Sequence, residues 1–427
     1  MGVRDFFKAF FKGDGILWFC YLALVVISIV EMYSASSTLA FRAVNYNTPI
    51  QRHVILLLVG VALAIFIHRS LSYRYIPLFA ILGYFLSLCA LVYVLVLGIA
   101  TNGAARWINI GPIQFQPSEL AKLSTVLLLA SVLGAAQHRK KYSDPKFFLS
   151  CLLIWIVPSC LILVENLSTA ALLTFVCSLM MIFSGPFFTT IRLYLKKILN
   201  LLRTNEIFRF TVLAMLVGGL FLLFYSDVDL KDTFHRATTW SGRVVNFFTD
   251  VPLDDSFEIT DKNRQESHAR IAISNGRYFG MGIGDSEQRD FLSQAFSDFI
   301  FAIIVEEMGV FSLIVVFIYL LIFYRAIILI KRLEDPILCY ILLGLSLMLL
   351  VQAYFHVAVS LGCVPVTGQP LPIISRGGTS ILIFSVYFGL MLNISRTIFE
   401  DTHDVSSNGK QSVAKRNDDE ENVKLKD

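Results

Sequence analysis

The chain has 427 residues, of which 56% are hydrophobic and only 16% are charged, and its formal net charge is +4. An ordinary soluble domain has about 25% charged residues, so this composition excludes a disordered chain and argues against a water-soluble globule. A lipid-facing surface removes the need for charge, and the composition therefore indicates one integral membrane unit. The basic residues are too few and too dispersed to predict binding of nucleic acid.

Ten apolar segments are long enough to cross a hydrocarbon core of about 30 Å, which takes about 20 mostly apolar residues. They lie near residues 15–35, 52–69, 75–99, 119–136, 147–164, 167–185, 207–226, 299–325, 336–361 and 379–395. The sequence therefore predicts an all-α, polytopic membrane protein. Its ten-span domain covers residues 15–398, between a cytoplasmic N-terminus of residues 1–14 and a disordered cytoplasmic tail of residues 399–427.

The distribution of Lys and Arg orients these spans. With the N-terminus inside, 23 of the 36 basic residues lie in inner segments and only four lie in the short outer loops. The positive-inside rule then places both termini in the cytoplasm. The same orientation places three large segments outside, namely residues 100–118, the long loop 227–298 and the Pro- and Gly-rich stretch 362–378.

Common cofactor and nucleophile motifs are missing from the sequence. The seven cysteines and seven histidines are dispersed, which predicts neither a disulfide framework nor a zinc site. No phosphate-binding P-loop, HExxH helix or nucleophile elbow occurs. If the chain is an enzyme, an activated substrate must supply the energy of its reaction.

Charged residues inside spans cost about 2.5–3.5 kcal/mol each, so each one that occurs needs a reason. The first set runs from an outer loop into the fourth span and contains Arg106, Trp107, Glu119 and Lys122. Glu119 and Lys122 are three residues apart and therefore share one helix face. Two interpretations stay open: a salt bridge with a helix cap inside the span, or one wall of a polar cavity.

The second set lies at the start of the eighth predicted span. Asp298 is placed where the outer aqueous phase meets hydrocarbon, and Glu306 lies about 12 Å further along the same helix. Asp298 either caps the helix or takes part in chemistry. For Glu306 and Glu307 the sequence favours pairing with basic residues on neighbouring spans.

The third set is the segment from Gly362 to Ser380, which has three prolines and four glycines in 19 residues and cannot form a continuous helix. Such backbone is tolerated at membrane depth only where it is buried in protein or lines a wet cavity. An ordinary outer loop is the alternative. Ser375 and Gly377 lie in this segment.

The long outer loop combines arginines with closely spaced glycines. Basic side chains and exposed backbone amides together favour polyanions such as diphosphates. The residues concerned are Arg236, Arg243, Arg264, Arg270, Arg277 and Arg289, with Gly276, Gly280, Gly282 and Gly284.

Taken in this order, the segments resemble the SEDS family, named for shape, elongation, division and sporulation, whose members include FtsW and RodA. The resemblance covers residues 15–398, and the FtsW branch is the closer match. Its most specific parts are Arg106-Trp107, Gln116-Pro117-Ser118-Glu119 with Lys122, Gly280-x-Gly282-x-Gly284, Asp298-Phe299-Ile300-Phe301-Ala302 with Glu306-Glu307, and Pro365-x-Thr367-Gly368 with Leu371-Pro372 and Ser375-x-Gly377-Gly378.

The resemblance implies a peptidoglycan glycosyltransferase of the bacterial cytoplasmic membrane. Its substrate would be lipid II, the undecaprenyl-diphosphate-linked disaccharide-peptide, polymerised into glycan strands on the outer face during division or elongation. Its partners would be a class B penicillin-binding protein transpeptidase and membrane proteins of the divisome or elongasome. No cofactor is indicated, and assistance by a divalent cation stays open.

The resemblance also assigns residues. The family's catalytic aspartate falls on Asp298, and its outer arginine and tryptophan fall on Arg106 and Trp107. The remaining substrate-binding residues would be Glu119, Lys122, Arg243, Arg270, Ser375 and Gly377.

Three positions depart from the family pattern. The run Glu165-Asn166-Leu167-Ser168-Thr169 stands where Pro-Asp-x-Gly-Thr is usual, Arg376 replaces a usual tyrosine, and His356 stands where asparagine is common.

A transporter, or flippase, of the lipid-linked precursor is the alternative function, because buried charges and a broken segment also suit a translocation path. A scaffold that only recruits partners is a third. The enzyme is favoured because the conspicuous groups cluster at outer ends of spans and the two halves show no matching pair of broken segments.

Overall fold

A computed structural model describes residues 12–35, 48–97, 99–101, 104–110, 113–138, 145–184, 196, 200, 204, 264–292, 295–376 and 378–398. Several predicted features fall outside these ranges: the seventh span at 207–226, most of the long loop with Arg243, Gly377, residues 1–11 of the N-terminal segment and the C-terminal tail 399–427. Arg106 is described by its backbone alone.

The helices are numbered here in chain order over the described part. They are α1 (Gly15–Ala35), α2 (Thr48–Ser70), α3 (Ile76–Leu97), α4 (Pro117–His138), α5 (Pro145–Glu165), α6 (Leu167–Phe183), α7 (Arg264–Gly276), α8 (Ile300–Met308), α9 (Leu313–Ile330), α10 (Pro336–Ser360) and α11 (Thr379–Ile398). Within the described ranges, eight helical segments are long and apolar enough to cross a membrane, and α6 is a shorter apolar helix. They cover nine of the ten predicted spans, which confirms a polytopic, all-α membrane protein.

Three helices form the centre of the bundle. The most apolar windows of α4, α10 and α11 are 78%, 61% and 83% buried, whereas those of α2, α3 and α5 are only 22–28% buried. The peripheral helices therefore expose many apolar side chains on the surface of the bundle, as expected for helices that contact lipid. The central helices carry the polar residues of the fourth span and flank the broken segment 361–378.

The outer loop before α4 is a small antiparallel sheet, where the sequence predicted only a loop. Its strands are β1 (Ile99–Thr101), β2 (Ala104–Ile110) and β3 (Ile113–Phe115), in the order β1-β2-β3. Asn109 is paired with Gln114, and Ile108 is paired with Phe115. Ile and Phe both favour strands, because they pack well on a pleated surface. Arg106 and Trp107 lie on β2, the middle strand of this sheet, and the sheet directly precedes α4 in the chain.

The eighth predicted span, 299–325, is confirmed as one long apolar segment, Ile300–Ile330, which a break at Gly309 divides into two helices. Gly309 ends α8 with a positive φ of 58°, and a 3₁₀ turn at Gly309–Ser312 leads into α9. The 18 residues of α9 are about 27 Å long and cross the hydrocarbon by themselves. The C-terminal end of α8 contacts the C-terminal end of α1, because Ser34 Oγ donates a hydrogen bond to Glu307.

The first and last spans meet at the opposite end of the bundle. Asp14 caps α1, since its Oδ1 accepts from the N–H groups of Ile16 and Leu17 at 3.1 and 3.0 Å. The Asp14 N–H donates to Ser395 Oγ of α11 at 3.1 Å, and Arg325 Nη2 of α9 lies 2.7 Å from Asp14 Oδ2. The two ends of the described membrane domain therefore lie on the same face, as an even number of spans demands.

Candidate active site

The broken segment between α10 and α11 is fixed by side chains from neighbouring helices. Tyr319 Oη of α9 donates to Pro372 O at 2.5 Å, and Ser28 Oγ of α1 contacts Ile373 O and Ile374 O at 2.8 and 3.1 Å. Ile373 has a positive φ of 67°, which costs energy that these bonds offset. No helix occurs at the described residues of this segment, and Leu371 to Ser375 are buried. This confirms the prediction of irregular backbone held inside protein.

Asp298 stands on a loop that is bonded to this segment. Ser375 Oγ donates to Ser297 O at 2.8 Å, and the Arg376 N–H donates to Phe296 O at 3.0 Å. The half-buried Asp298 carboxylate accepts from Ser297 Oγ at 2.6 Å. Its Oδ2 would lie 3.5 Å from a Cβ at Gly368, which is an ordinary contact distance, so the carboxylate lies directly beside this glycine. The carboxylate is thus positioned at the edge of the segment without being enclosed by it.

Glu119 and Lys122 form the predicted salt bridge. Lys122 Nζ lies 2.7 Å from Glu119 Oε1, and both side chains are only 1% exposed. Lys122 Nζ also donates to Gln352 Oε1 of α10 at 2.8 Å, and Gln352 Nε2 donates to Pro370 O at 3.0 Å. The pair is therefore both a salt bridge inside the span and a support for the broken segment.

A second polar layer holds Gln369. His356 Nδ1 contacts Gln369 O at 2.8 Å, and Gln369 Nε2 donates to Thr169 Oγ1 at 2.6 Å. Because a carbonyl only accepts, His356 carries its proton on Nδ1. The Thr169 N–H donates in turn to Asn166 Oδ1 at 3.3 Å, so Asn166 is the N-cap of α6. At this departure from the family pattern, asparagine supplies a helix cap.

Glu306 and Glu307 do not pair with basic residues of neighbouring spans in the predicted way. Glu306 accepts from Asn275 Nδ2 at 2.9 Å, from the Gln288 N–H at 3.2 Å and from Ser286 Oγ. These donors are neutral and belong to the outer loop. Glu307 accepts from Ser34, as described above. The two carboxylates therefore hold the outer loop and α1 against α8, because charge-assisted bonds are the strong ones available there.

The glycine run is explained by close packing and is not an amide cradle. The N–H groups of Gly280, Met281 and Gly282 donate to Gly276 O, Glu306 O and Glu307 O at 2.8, 2.9 and 3.0 Å. These three amides already donate hydrogen bonds to backbone carbonyls of the protein, so they are not exposed to a polyanion as predicted. The run instead lets the outer loop lie directly on the end of α8.

We expect Gly280→Ala to destabilise the protein more than Gly284→Ala. Both glycines have a positive φ, 76° and 93°, but a Cβ at Gly280 would lie 2.1 Å from Glu307 O, whereas a Cβ at Gly284 meets nothing within 4 Å. The backbone term, about 1–2 kcal/mol, is common to both, and overpacking adds about 1–3 kcal/mol at Gly280 alone. Thermal unfolding in detergent measures the difference, and equal losses would contradict this packing.

The other predicted residues divide by position. Arg270 lies on α7, forms a 2.9 Å salt bridge with Glu266, and its Nε would be 3.1 Å from a Cβ at Gly362. It therefore lies beside Gly362, near the start of the broken segment. Trp107 is half-buried on β2, and Ser375 is buried and accepts from the Leu371 N–H at 2.8 Å. Among the residues that the structure describes, no group of three or more His, Cys, Asp or Glu is arranged to hold a metal ion.

Sequence reasoning missed several members of this site. Gln352, Gln369 and Ser28 bond directly to the broken segment or belong to it, yet none carries a charge. A glutamine in the middle of an apolar span is itself a signal, because an unsatisfied amide in hydrocarbon is costly. Gln352 meets that description.

The fold and site together define a multi-pass membrane protein with a broken segment between its last two spans, and with an aspartate and a buried salt bridge converging on that segment. Residues 14–399 match the model of a family described as cell cycle proteins, which is named for FtsW, RodA and SpoVE. The chain belongs to this family.

Individual relatives agree with this assignment. The chain is 30% identical over 406 residues to the probable peptidoglycan glycosyltransferase FtsW of Neisseria gonorrhoeae, with 90% of this chain and 84% of that protein covered. Among solved structures, a chain from a study of structural coordination of polymerization and crosslinking by a peptidoglycan synthase complex has a TM-score of 0.63 at 23% identity, covering 91% of this chain and 98% of that one. The rod shape determining protein RodA of Thermus thermophilus has a TM-score of 0.57 at 23% identity, covering 90% and 97%.

Proposed function

We propose that this protein is a peptidoglycan glycosyltransferase that polymerises lipid II into glycan strands on the outer face of the bacterial cytoplasmic membrane. The observation that supports this most directly is the half-buried Asp298 carboxylate, which accepts a hydrogen bond from Ser297 and lies beside Gly368 of the broken segment. A carboxylate that is held in this way and is partly exposed can accept a proton from a substrate hydroxyl.

In the proposed reaction Asp298 is the general base. It takes the proton from a sugar hydroxyl of the acceptor, and the resulting oxygen attacks the anomeric carbon of the donor. The bond from that carbon to the diphosphate breaks, and the electron pair leaves with the undecaprenyl diphosphate. The proton stays on Asp298 until it passes to water. General-base catalysis of this kind contributes about 10²–10⁴-fold to a rate.

The supporting residues have two proposed tasks. Arg106, Arg243 and Arg270 bind the donor diphosphate and stabilise the charge that develops on the leaving group. Glu119 and Lys122 act through Gln352 and Pro370, which fixes the segment that faces Asp298. Trp107, Ser375 and Gly377 complete the wall of the substrate site.

The orientation and the partners are also proposals. The excess of basic residues on one side supports an orientation with both termini in the cytoplasm and with α7, α8 and the sheet on the outer face. A class B penicillin-binding protein would crosslink the strands made here, within the machinery of division or elongation. The similarity to a chain of a peptidoglycan synthase complex supports such a partner.

An assay in detergent tests this function against the flippase alternative. Purified protein, mixed with lipid II and candidate class B partners, is expected to give glycan polymer that lysozyme digests, although no membrane separates two compartments. Binding of lipid II without polymer, by folded protein with every candidate partner and with divalent cation present, would favour the flippase.

A further inference from the structure

The turn that follows α7, residues 277–283, exposes large apolar side chains. Within the described ranges, Phe279 and Tyr278 are the most exposed of the large hydrophobic residues, at 83% and 78%, and Ile283 is 62% exposed. Exposed apolar patches of this kind mark surfaces that contact protein or membrane. The turn therefore needs an apolar partner.

The turn is packed against the chain directly before α9. The Val310 N–H donates to Tyr278 O at 3.1 Å. The stretch from Val310 to Ile330 is about 30 Å long at the helical rise, which is the thickness of the hydrocarbon core. The exposed Lys331 follows and marks the boundary of the hydrocarbon at that end. Residues 277–283 therefore lie where the hydrocarbon begins on the opposite side of the membrane.

The apolar surface of the turn continues onto the span. Val310, Phe311 and Phe317 are exposed on the adjoining chain, and a span presents such side chains to lipid. Aromatic residues, tyrosine among them, are enriched at the level where headgroups meet acyl chains. Lipid is thus the partner that covers both the span and the turn beside it.

A groove at the turn offers a place for a polar headgroup. Its volume is about 500 Å³, and its lining includes Ser274, Arg277, Tyr278, Phe279 and Glu287. Arg277 is exposed and forms no salt bridge with any residue that the structure describes. A guanidinium binds two phosphate oxygens at once. The groove therefore presents a cation at the depth where phospholipid phosphates lie.

We propose that residues 277–283 form an interfacial anchor, whose partner is the phospholipid of the membrane. Tyr278, Phe279 and Ile283 enter the boundary between headgroups and acyl chains, and Arg277 binds the phosphate of one headgroup in the groove. Apolar side chains of interfacial segments reach about 5–10 Å into this boundary. The anchor is independent of the reaction that the protein catalyses.

The anchor also sets the depth of α8 and of the loop before it. The N–H groups of Met281 and Gly282 donate to Glu306 O and Glu307 O at 2.9 and 3.0 Å, so the turn and the end of α8 move together. Asp298 lies two residues before the start of α8. Lipid bound at the turn therefore holds the Asp298 loop at a constant distance from the membrane surface.

Tryptophan fluorescence measures the depth of the turn. Phe279→Trp adds one tryptophan to the four of the chain, and subtraction of the unaltered protein gives the emission that it adds. In vesicles of phosphatidylglycerol and phosphatidylcholine, lipids brominated close to the headgroup are expected to quench this emission about twofold more than lipids brominated at the chain end. Glu334→Trp, at an exposed residue beyond Lys331, is the control and is expected to show little quenching. Equal quenching of the two variants would contradict the anchor.

Phosphatidylglycerol in mixed micelles tests the phosphate contact. It is expected to raise the unfolding midpoint of the full-length protein more than diacylglycerol with the same chains, because a ligand that binds only the folded state stabilises it. Arg277→Gln is expected to weaken the apparent affinity by about tenfold or more, since a charge-assisted pair of bonds is lost. Arg332→Gln is the matched control, because Arg332 is an exposed arginine at the opposite end of α9, away from the groove. If the two variants respond equally, the groove binds no headgroup and the proposal is wrong.

A protein partner is the competing occupant of this surface. If a class B transpeptidase added to the vesicles removes the quenching of Phe279→Trp by brominated lipid, the turn is a protein-docking surface and the assignment to lipid is overturned. Unchanged quenching in the complex supports the lipid anchor. None of these measurements uses lipid II, so their outcome and that of the polymerisation assay are separate.

Discussion

Asp298→Asn is expected to lower glycan polymerisation by about 10²–10⁴-fold, the usual contribution of a general base, while the protein stays folded. Asparagine keeps the shape of the side chain and can still accept the hydrogen bond from Ser297 Oγ, which is 2.6 Å from Asp298 in the structure. It cannot take a proton from the acceptor hydroxyl. Polymer length and yield from purified protein with its partner transpeptidase measure the effect.

The matched control for this change is Asp285→Asn. Asp285 is an exposed carboxylate of the same outer loop, and its backbone N–H is bonded to Gly282 O at 3.1 Å. The control variant is expected to polymerise within about twofold of the unaltered protein, as a surface substitution should. Near-normal polymer from folded Asp298→Asn protein would remove Asp298 from the role of base.

Lys122→Met is expected to destabilise the protein by about 3–5 kcal/mol, because it leaves the Glu119 carboxylate buried without its partner. Both side chains are 1% exposed, so water cannot replace the lost charge. The change also removes the donor to Gln352. Thermal or denaturant unfolding in detergent provides the measurement.

The double variant Glu119→Gln with Lys122→Met separates the charge from the packing. It is expected to recover most of the lost stability, since replacing a whole buried pair costs far less than breaking it. Lys331→Met, at an exposed lysine just after α9, is the control for the substitution itself and should change stability by less than about 0.5 kcal/mol. If the two Lys122 variants unfold at the same point, the pair is not a coupled unit.

The described part of the fold follows the sequence where periodicity and length are strong. The bounds of α1, α3 and α10 differ from the predicted spans by three residues or fewer, because long apolar runs leave a membrane chain few choices. The sheet before α4 and the break at Gly309 were missed. The sheet depends on tertiary contacts, and the break depends on the conformation of one glycine. Neither changes the mean hydropathy of a long apolar segment, so neither could be predicted from it.

The charged residues of the site could be predicted from the sequence, whereas the uncharged hydrogen-bonding residues that connect them could not. Asp298 and the Glu119–Lys122 pair attract notice because charge in a span is expensive. Gln352 and Ser28 connect to the broken segment through single hydrogen bonds, and only folding brings their partners within reach. The glycine run shows the opposite error: spaced glycines suggested an anion cradle, whereas the amides are already bonded inside the protein.

The hydrogen bonds that hold the broken segment oppose its movement within the bundle. Carbonyls of Pro370, Pro372, Ile373 and Ile374 are held by Gln352 of α10, Tyr319 of α9 and Ser28 of α1. The segment is therefore hydrogen-bonded to three separate helices. Moving it aside would leave these carbonyls without donors in an environment without water, which costs free energy. A segment that is held in place in this way suits chemistry carried out from one side of the membrane.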